Sequence, residues 1–240
     1  MSQPKYKRVA DEITARINDG VYAPKTILPD QKSLAKEFGV SRLTVKKALD
    51  GLERAGLIYK QSGLGTVVLG TIPIKSEQDA AADCFTGLQK QLGKENVKSK
   101  IIKFNVQFPD EELQKYLDIK ANEPVYEIIR LRVYKGQPYV LEHTFMPIKL
   151  IPNLSEKILE DSIYTYIHKK LKLKFGGAYR KIKAVKADKY DIEYLEAKKD
   201  DPLLELQQIV WLNNGQTFEY SRSRNRYDTR NYVVLDTNNF

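Results

Sequence analysis

A single cysteine, Cys84, stands in a chain of 240 residues, which excludes an internal disulfide. Histidine is nearly as scarce, with only His143 and His168, so a four-ligand zinc site of Cys and His is out of reach. No uninterrupted apolar run approaches the ~18 residues that a membrane span needs. The opening Met1-Ser2-Gln3-Pro4-Lys5-Tyr6-Lys7-Arg8 leads into a charged, periodic segment rather than an apolar secretion signal. No nucleophile–base pair, metal set or phosphate-cradling glycine loop stands out, so neither catalysis nor a cofactor is expected. Apolar material is ample: at 42% hydrophobic and 30% charged, the chain buries a core and is not disordered throughout. The expectation is a reduced, cytoplasmic protein of two small domains, with no membrane partner.

The net charge is +9, and it is unevenly spread. Residues 1–70 carry 12 Lys+Arg against 7 Asp+Glu, whereas the remaining 170 carry 28 against 24. Excess positive charge on a small segment is the footprint that a phosphate backbone requires.

That segment reads as three helices and a hairpin. Tyr6, Val9, Ala10, Ile13 and Ile17 recur at helical spacing. Asp30 is placed to cap a second helix through Leu34, Ala35 and Phe38, and Gly39 stops it. Ser41 caps a third, with Val45, Ala48, Leu49, Leu52 and Ala55 as its stripe and Gly56 as its stop. Only Gly39, Val40 and Ser41 separate the second from the third, which forces a helix–turn–helix corner. Two short apolar runs around Gln61-Ser62-Gly63-Leu64-Gly65 complete a winged helix–turn–helix. The N-terminal end of the third helix would then enter the major groove of double-stranded DNA. Arg42 and Lys46 share a face there, with Thr44 beside them, and arginine can grip guanine bidentately. Ser41 suits a phosphate, and Lys32, Ser62 and Gly63 are placed for backbone contacts. Lys36 and Lys47 read better as a solvated face.

Residues 71–80 lack periodicity and read as a linker between a domain of 1–70 and one of 81–240. The second domain contains a repeat. Glu123-Pro124-Val125-Tyr126-Glu127-Ile128 matches Asp201-Pro202-Leu203-Leu204-Glu205-Leu206, and Gly136-Gln137 matches Gly215-Gln216. Each copy reads as a helix, a turn, a strand, a glycine turn and a second strand. A helix from Ile163 to Leu171 and a strand from Ala178 to Val185 lie between the copies. The fold class is α+β, with a mainly antiparallel sheet built from two related halves.

Tyr6 through Val68 resembles the winged-helix domain of the GntR family of bacterial transcriptional regulators. Gly20, Leu28-Pro29, Leu34-Ala35, Val40-Ser41-Arg42, Thr44-Val45, Ala48-Leu49, Leu52, Gly56-Leu57-Ile58 and Gly63-Leu64-Gly65-Thr66 carry the likeness. Where the family continues Leu-Pro with Ser-Glu-Arg, this chain has Asp30-Gln31-Lys32, and Lys46 replaces a usual arginine. Lysine keeps the charge but loses the fork.

The rest resembles the UTRA domain of the HutC subfamily, related in fold to chorismate lyase. Arg130-Leu131-Arg132, Gly136-Gln137-Pro138, Glu142, Phe145-Met146-Pro147, Ser162-Ile163-Tyr164 and Phe218-Glu219-Tyr220 carry this likeness, with Arg226 and Asp228. The resemblance implies an effector site of Arg130, Arg132, Ser162, Tyr164 and Glu219, with Glu142 also matching and Thr86 capping a ligand phosphate. Asn225 stands where the family has a tyrosine beside the ligand.

Arg130 and Arg132 are two apart on a strand, so both project from one face. They repel unless an anion sits between them, and either a ligand phosphate or a carboxylate among Glu127, Glu142 and Glu219 could supply it. Arg222, Arg224, Arg226 and Arg230 read as a charged sheet face, and His143 and His168 as structural residues without a visible carboxylate partner. The whole implies a homodimeric repressor, released from operator DNA by a small anionic effector such as a phosphorylated sugar. The alternative is a DNA-binding regulator whose C-terminal domain binds a non-phosphorylated effector or only dimerises; an enzyme like chorismate lyase is the remoter reading, against which the lack of a nucleophile–base pair speaks.

Overall fold

Val9 and Ile13, one turn apart and wholly buried, pin helix α1 (Lys5–Asn18) to the core of the N-terminal unit. The computed structural model describes residues 4–69, 79–81 and 87–234. They divide into two compact units, one ending beyond the wing hairpin and the other within Glu77–Tyr232. In α2 (Gln31–Phe38), the Asp30 carboxylate accepts from the N–H groups of Lys32 and Ser33, both at 2.8 Å. Gly39 closes the helix at φ 61°, a left-handed turn that suits glycine. Helix α3 (Arg42–Arg54) follows at once, its first turn capped by Ser41. Val45, Ala48, Leu49 and Leu52 join Val9, Ile13 and Leu34 in one apolar cluster. Strands β1 (Ile58–Gln61) and β2 (Gly65–Val68) form the wing. Lys60 ties it to α3, reaching Asp50 at 2.5 Å and Glu53 at 2.7 Å.

The second unit runs β3 (Asp79–Ala81), α4 (Leu88–Leu92), β4 (Val97–Gln107), α5 (Glu111–Leu117), β5 (Val125–Tyr134), β6 (Gln137–Pro147), α6 (Glu156–Leu159), α7 (Ile163–Lys169), β7 (Phe175–Lys186), α8 (Lys189–Tyr194), β8 (Pro202–Leu212), β9 (Thr217–Arg226) and β10 (Asn231–Val233). Strands β3 and β10 pair with each other. The other six make one antiparallel sheet in the order β4-β5-β6-β9-β8-β7. The repeat is visible in it, because α5-β5-β6 and α8-β8-β9 are the two copies. They meet at β6 and β9, where His143 pairs with Arg222. The glycine turns are 79 residues apart, as are His143 and Arg222, so an approximate twofold axis passes through this pair. Edge strands β4 and β7 are equivalent under the same axis, each preceding the helix of its copy, and β7 begins three residues earlier than its apolar pattern suggests.

Helices α5 and α8 cover the sheet face that carries Ile129, Leu141, Phe145 and Tyr220. Helix α7 and the segment before it cover the other, packing Ile163, Ile167 and Leu159 on Ile128, Met146 and Phe218. At the β7 bulge, Gly177 has no Cβ because the Trp211 indole occupies that space, 2.4 Å from where it would stand.

Candidate functional site

Two surfaces carry the residues singled out by sequence. On the N-terminal unit, Lys32, Ser41, Arg42, Lys46, Ser62 and Gly63 are all exposed, and Thr44 is half-buried. Ser41 Oγ accepts from the Thr44 N–H at 3.2 Å and lies 2.9 Å from Thr44 Oγ1, so both hydroxyls order the start of α3. Arg42 and Lys46, one turn apart, lie exposed beside the apolar stripe. Lys47 is exposed as well, with its ammonium 4.4 Å from the Tyr6 ring centroid.

In the second unit, Arg130, Arg132, Glu142, Ser162, Tyr164 and Glu219 line one cavity of about 130 Å³. The strand register explains why. Arg130 pairs with Glu142, Glu142 with Ser223, and Ser223 with Leu206, so side chains of β5, β6, β9 and β8 rise on one face. Glu142 settles what lies between the arginines. Arg130 donates to its Oε2 from Nε at 3.1 Å and from Nη2 at 2.6 Å, and its Nη1 donates to the Leu159 carbonyl at 2.8 Å. Arg132 reaches the same oxygen only at 3.9 Å, and its Nε, although buried, has no hydrogen-bond partner. Glu127 lies on the opposite face and takes no part.

The charges respond accordingly. Burial pushes the Glu142 carboxyl up, but Arg130 and Arg132 outweigh it and hold the group below the usual carboxylate range. Burial lowers Arg132; Glu142 opposes that, and Arg130 adds to it. Farther along the cavity, Gln208 Nε2 donates to Glu219 at 2.8 Å and to the Tyr164 hydroxyl at 3.2 Å. Ser221 Oγ donates to the same glutamate at 2.7 Å. Burial still raises Glu219 above its ordinary value, and it raises Tyr164 as well. Ser162 caps α7 by accepting from the Thr165 N–H at 3.2 Å.

Two predicted effector residues remain. Thr86 lies outside the described residues. Asn225 is a correction. It is wholly buried past the end of the cavity, where its Nδ2 donates to the carbonyls of Arg226 at 2.9 Å and Arg230 at 3.1 Å. An amide so placed shapes the chain after β9 through its Nδ2, while its Oδ1 is buried without a hydrogen-bond partner.

The cavity also holds residues that the sequence reading missed: Arg180, Gln208, Thr144, Ser221, Ser223, Arg230 and Tyr232. Arg180 Nε donates to Gln208 at 3.2 Å. Arg230 sits between the Tyr139 and Tyr232 rings, 5.5 and 5.3 Å from their centroids. Alternation along β9 could have found Ser221 and Ser223 from Glu219, but Arg180 needs the register of β7 on β8.

The run of four arginines is not one charged face. Arg226 pairs with Asp228 at 2.5 Å, Arg230 enters the cavity, and Arg222 and Arg224 lie on the opposite face. There Arg224 binds Glu205 at 2.6 Å, Asp188 at 2.6 Å and Asp191 at 2.8 Å. His143, expected to lack a carboxylate, has Glu127 at 3.0 Å on Nε2 and Arg222 at 3.1 Å on Nδ1. Burial first, then Arg222, lowers its pKa despite Glu127. The neutral imidazole thus donates to Glu127 and accepts from Arg222. Among the described residues, no group of His, Cys, Asp and Glu is placed to hold a metal.

A winged helix–turn–helix with exposed cations on its third helix is matched, over residues 5–68, by the model of the bacterial regulatory proteins of the gntR family. Residues 92–230 match the UTRA domain. This chain belongs to the GntR family and carries a UTRA domain, as the HutC subfamily does. GntR relatives cover nearly all of it. The HTH-type transcriptional regulator GmuR of Bacillus subtilis is 43% identical, over 98% of each chain. The mannosyl-D-glycerate transport/metabolism system repressor MngR of Escherichia coli is 31% identical, over 96% of this chain and 94% of that one. The crystal structure of the possible regulator YydK from B. subtilis superposes with a TM-score of 0.80 at 29% identity, over 98% of this chain and 100% of that one. The GntR protein described here is thus a DNA-binding transcriptional regulator, of α+β fold with a winged helix–turn–helix at its N-terminus. Among its described residues, no helix is long and apolar enough to cross a membrane.

Proposed function

We propose that this regulator is a cytoplasmic repressor that binds operator DNA as a homodimer and leaves it when a small anionic, polyhydroxylated effector, a phosphorylated sugar, fills the UTRA cavity. Residues 1–70 form the DNA-reading domain, 71–80 the linker and 81–240 the effector domain. Arg42 reads a base edge, Lys46 and Lys32 engage phosphates, Ser41 and Thr44 set the helix end, and Ser62 and Gly63 carry the wing to the backbone.

The observation behind the effector class is Arg132. It is 3% exposed and shares a single carboxylate with Arg130, and its Nε is left without a partner. A buried guanidinium in that state calls for a second anion. Glu142, Tyr164, Glu219 and Gln208 supply donors and acceptors for hydroxyls. The name of MngR, a repressor in the metabolism of a mannosyl-glycerate, supports both the direction of control and a sugar carrying an anionic group. Effector binding would favour a dimer whose recognition helices no longer match their half-sites. A fluorescence-anisotropy titration on DNA from the gene's own upstream region, at ~150 mM salt, tests this. Release by a pool of hexose and disaccharide phosphates is expected. Operator affinity unchanged by the saturating pool would discard the effector class and leave the regulator.

A further inference from the structure

We infer that Leu43 is a base-reading residue of this regulator and recognises the 5-methyl group of a thymine in the major groove. The inference rests on the DNA-binding role of α3 and adds an apolar contact to a surface so far read only through its cations.

Leu43 is 75% exposed, the most open of the large apolar side chains in the described protein. It is not a fringe of the core. Helix α3 buries Val45, Ala48, Leu49 and Leu52, and Leu43 lies off that stripe, between Arg42 and Thr44 in the first turn. One turn onward are Lys46, which is exposed, and Lys47, whose ammonium rests on Tyr6. An exposed leucine among cations, on a helix end ordered by Ser41 and Thr44, presents a rigid apolar knob. Of the groups that base pairs display in the major groove, the thymine methyl is the apolar one. Arg42 beside it suits guanine, so the first turn of α3 would read a guanine and a nearby thymine.

The wing supplies an internal comparison. Leu64, at its apex between Gly63 and Gly65, is 47% exposed, and Lys60 holds the wing to α3 through Asp50 and Glu53. Leu64 is therefore a second apolar knob on the same unit, placed on a different element from the helix that the inference concerns.

The test uses the full-length protein and a duplex of about 30 base pairs that it selects from a random pool. Each thymine is replaced in turn by uracil, which deletes the methyl and leaves the pairing edge intact. At one position per half-site, uracil should weaken binding by the parent about fourfold, the worth of one buried methyl. Leu43→Ala should bind the thymine duplex about as weakly as the parent binds a duplex carrying uracil at that position in both half-sites, and should not distinguish thymine from uracil there. Arg42→Ala and Leu64→Ala should keep the parental preference for thymine at that position. If no uracil weakens the parent, or if Leu43→Ala retains the discrimination, the inference is overturned while DNA binding stands. If the pool yields no duplex preferred over random DNA, the proposed DNA reading falls and takes the inference with it.

Discussion

The two faces of the six-stranded sheet carry similar chemistry and put it to opposite uses. On one, Arg130 and Arg132 share Glu142, and cationic groups outnumber the carboxylates that reach them. On the other, Arg224 alone meets Glu205, Asp188 and Asp191, Lys183 adds to Glu205 at 3.1 Å, and Lys103 adds to Glu127 at 2.8 Å. Both faces border a cavity and keep buried atoms without hydrogen-bond partners, but the first leaves the donors Arg132 Nε and Arg230 Nε unanswered, whereas the second leaves the acceptor Asp191 Oδ1. Charge alone does not mark an anion site; a buried cation the protein has not answered does.

The internal repeat sharpens the contrast. Asp191 occupies in the second half the place of Leu113 in the first, and Arg224 the place of Phe145. Leu113 and Phe145 pack in one apolar cluster, so a hydrophobic contact in one half is an ion pair in the other. Arg224→Met should therefore be the most damaging change on this face, costing about 3–5 kcal/mol because buried carboxylates lose their partner. The double change Asp191→Leu with Arg224→Phe, which copies the first half, should recover most of that in urea unfolding. A double variant no more stable than the single one would break the equivalence.

The cavity face should behave differently, even between neighbours. Arg130→Ala leaves Glu142 with Arg132 alone, at 3.9 Å, and should lower stability by about 2–4 kcal/mol. Arg132→Ala removes a guanidinium that meets Glu142 only at 3.9 Å and leaves its Nε without a partner, so unfolding should change by under ~1 kcal/mol while the effector concentration for half-release rises about 10- to 100-fold. Equal unfolding costs for the two arginines would erase the distinction between structural and ligand-directed charge. On the N-terminal unit, Arg42→Ala should cost about 1–3 kcal/mol of specific binding, whereas Lys32→Ala should weaken all sequences alike and lower the salt slope by about one. Those two changes are read by anisotropy at several salt concentrations.

The smallest effect is on pH. His143 is held below its ordinary value, so the unfolded chain takes up its proton first, and stability should fall as pH drops below about 6.5. Glu142, held low, withdraws its contribution only when pH falls through and below the usual carboxylate range. The network face should therefore register acid before the cavity face does. His143→Gln keeps a donor for Glu127 and an acceptor for Arg222, and should flatten the first decline in thermal melts between pH 7 and 5. An unchanged slope would mean that the imidazole titrates as it does in the unfolded chain.

Much of this was legible in the order of residues. Asp30, Gly39, Ser41 and Gly56 act through hydrogen bonds and backbone angles within a few positions, so the helix–turn–helix could be read directly. The two-residue period of β5 put Arg130 and Arg132 on one face, and the repeat at near-constant offset showed that the sheet has two halves. Beyond that range the signal stops. Nothing local says that Glu142 rather than Glu127 lies across from Arg130, because the answer is a register between strands. The same holds for Arg180 against Gln208, for His143 against Glu127 and Arg222, and for the splitting of Arg222, Arg224, Arg226 and Arg230 among a network, a surface pair and a cavity. Asn225 shows the limit most plainly: a residue that the resemblance set beside a ligand is buried and holds a turn through its Nδ2. Periodicity, caps and composition, which act between near neighbours, determined the elements and the charged DNA-facing helix. Which charges are answered by the protein and which await a partner was decided only by strand pairing, because burial and desolvation depend on what the rest of the chain brings alongside.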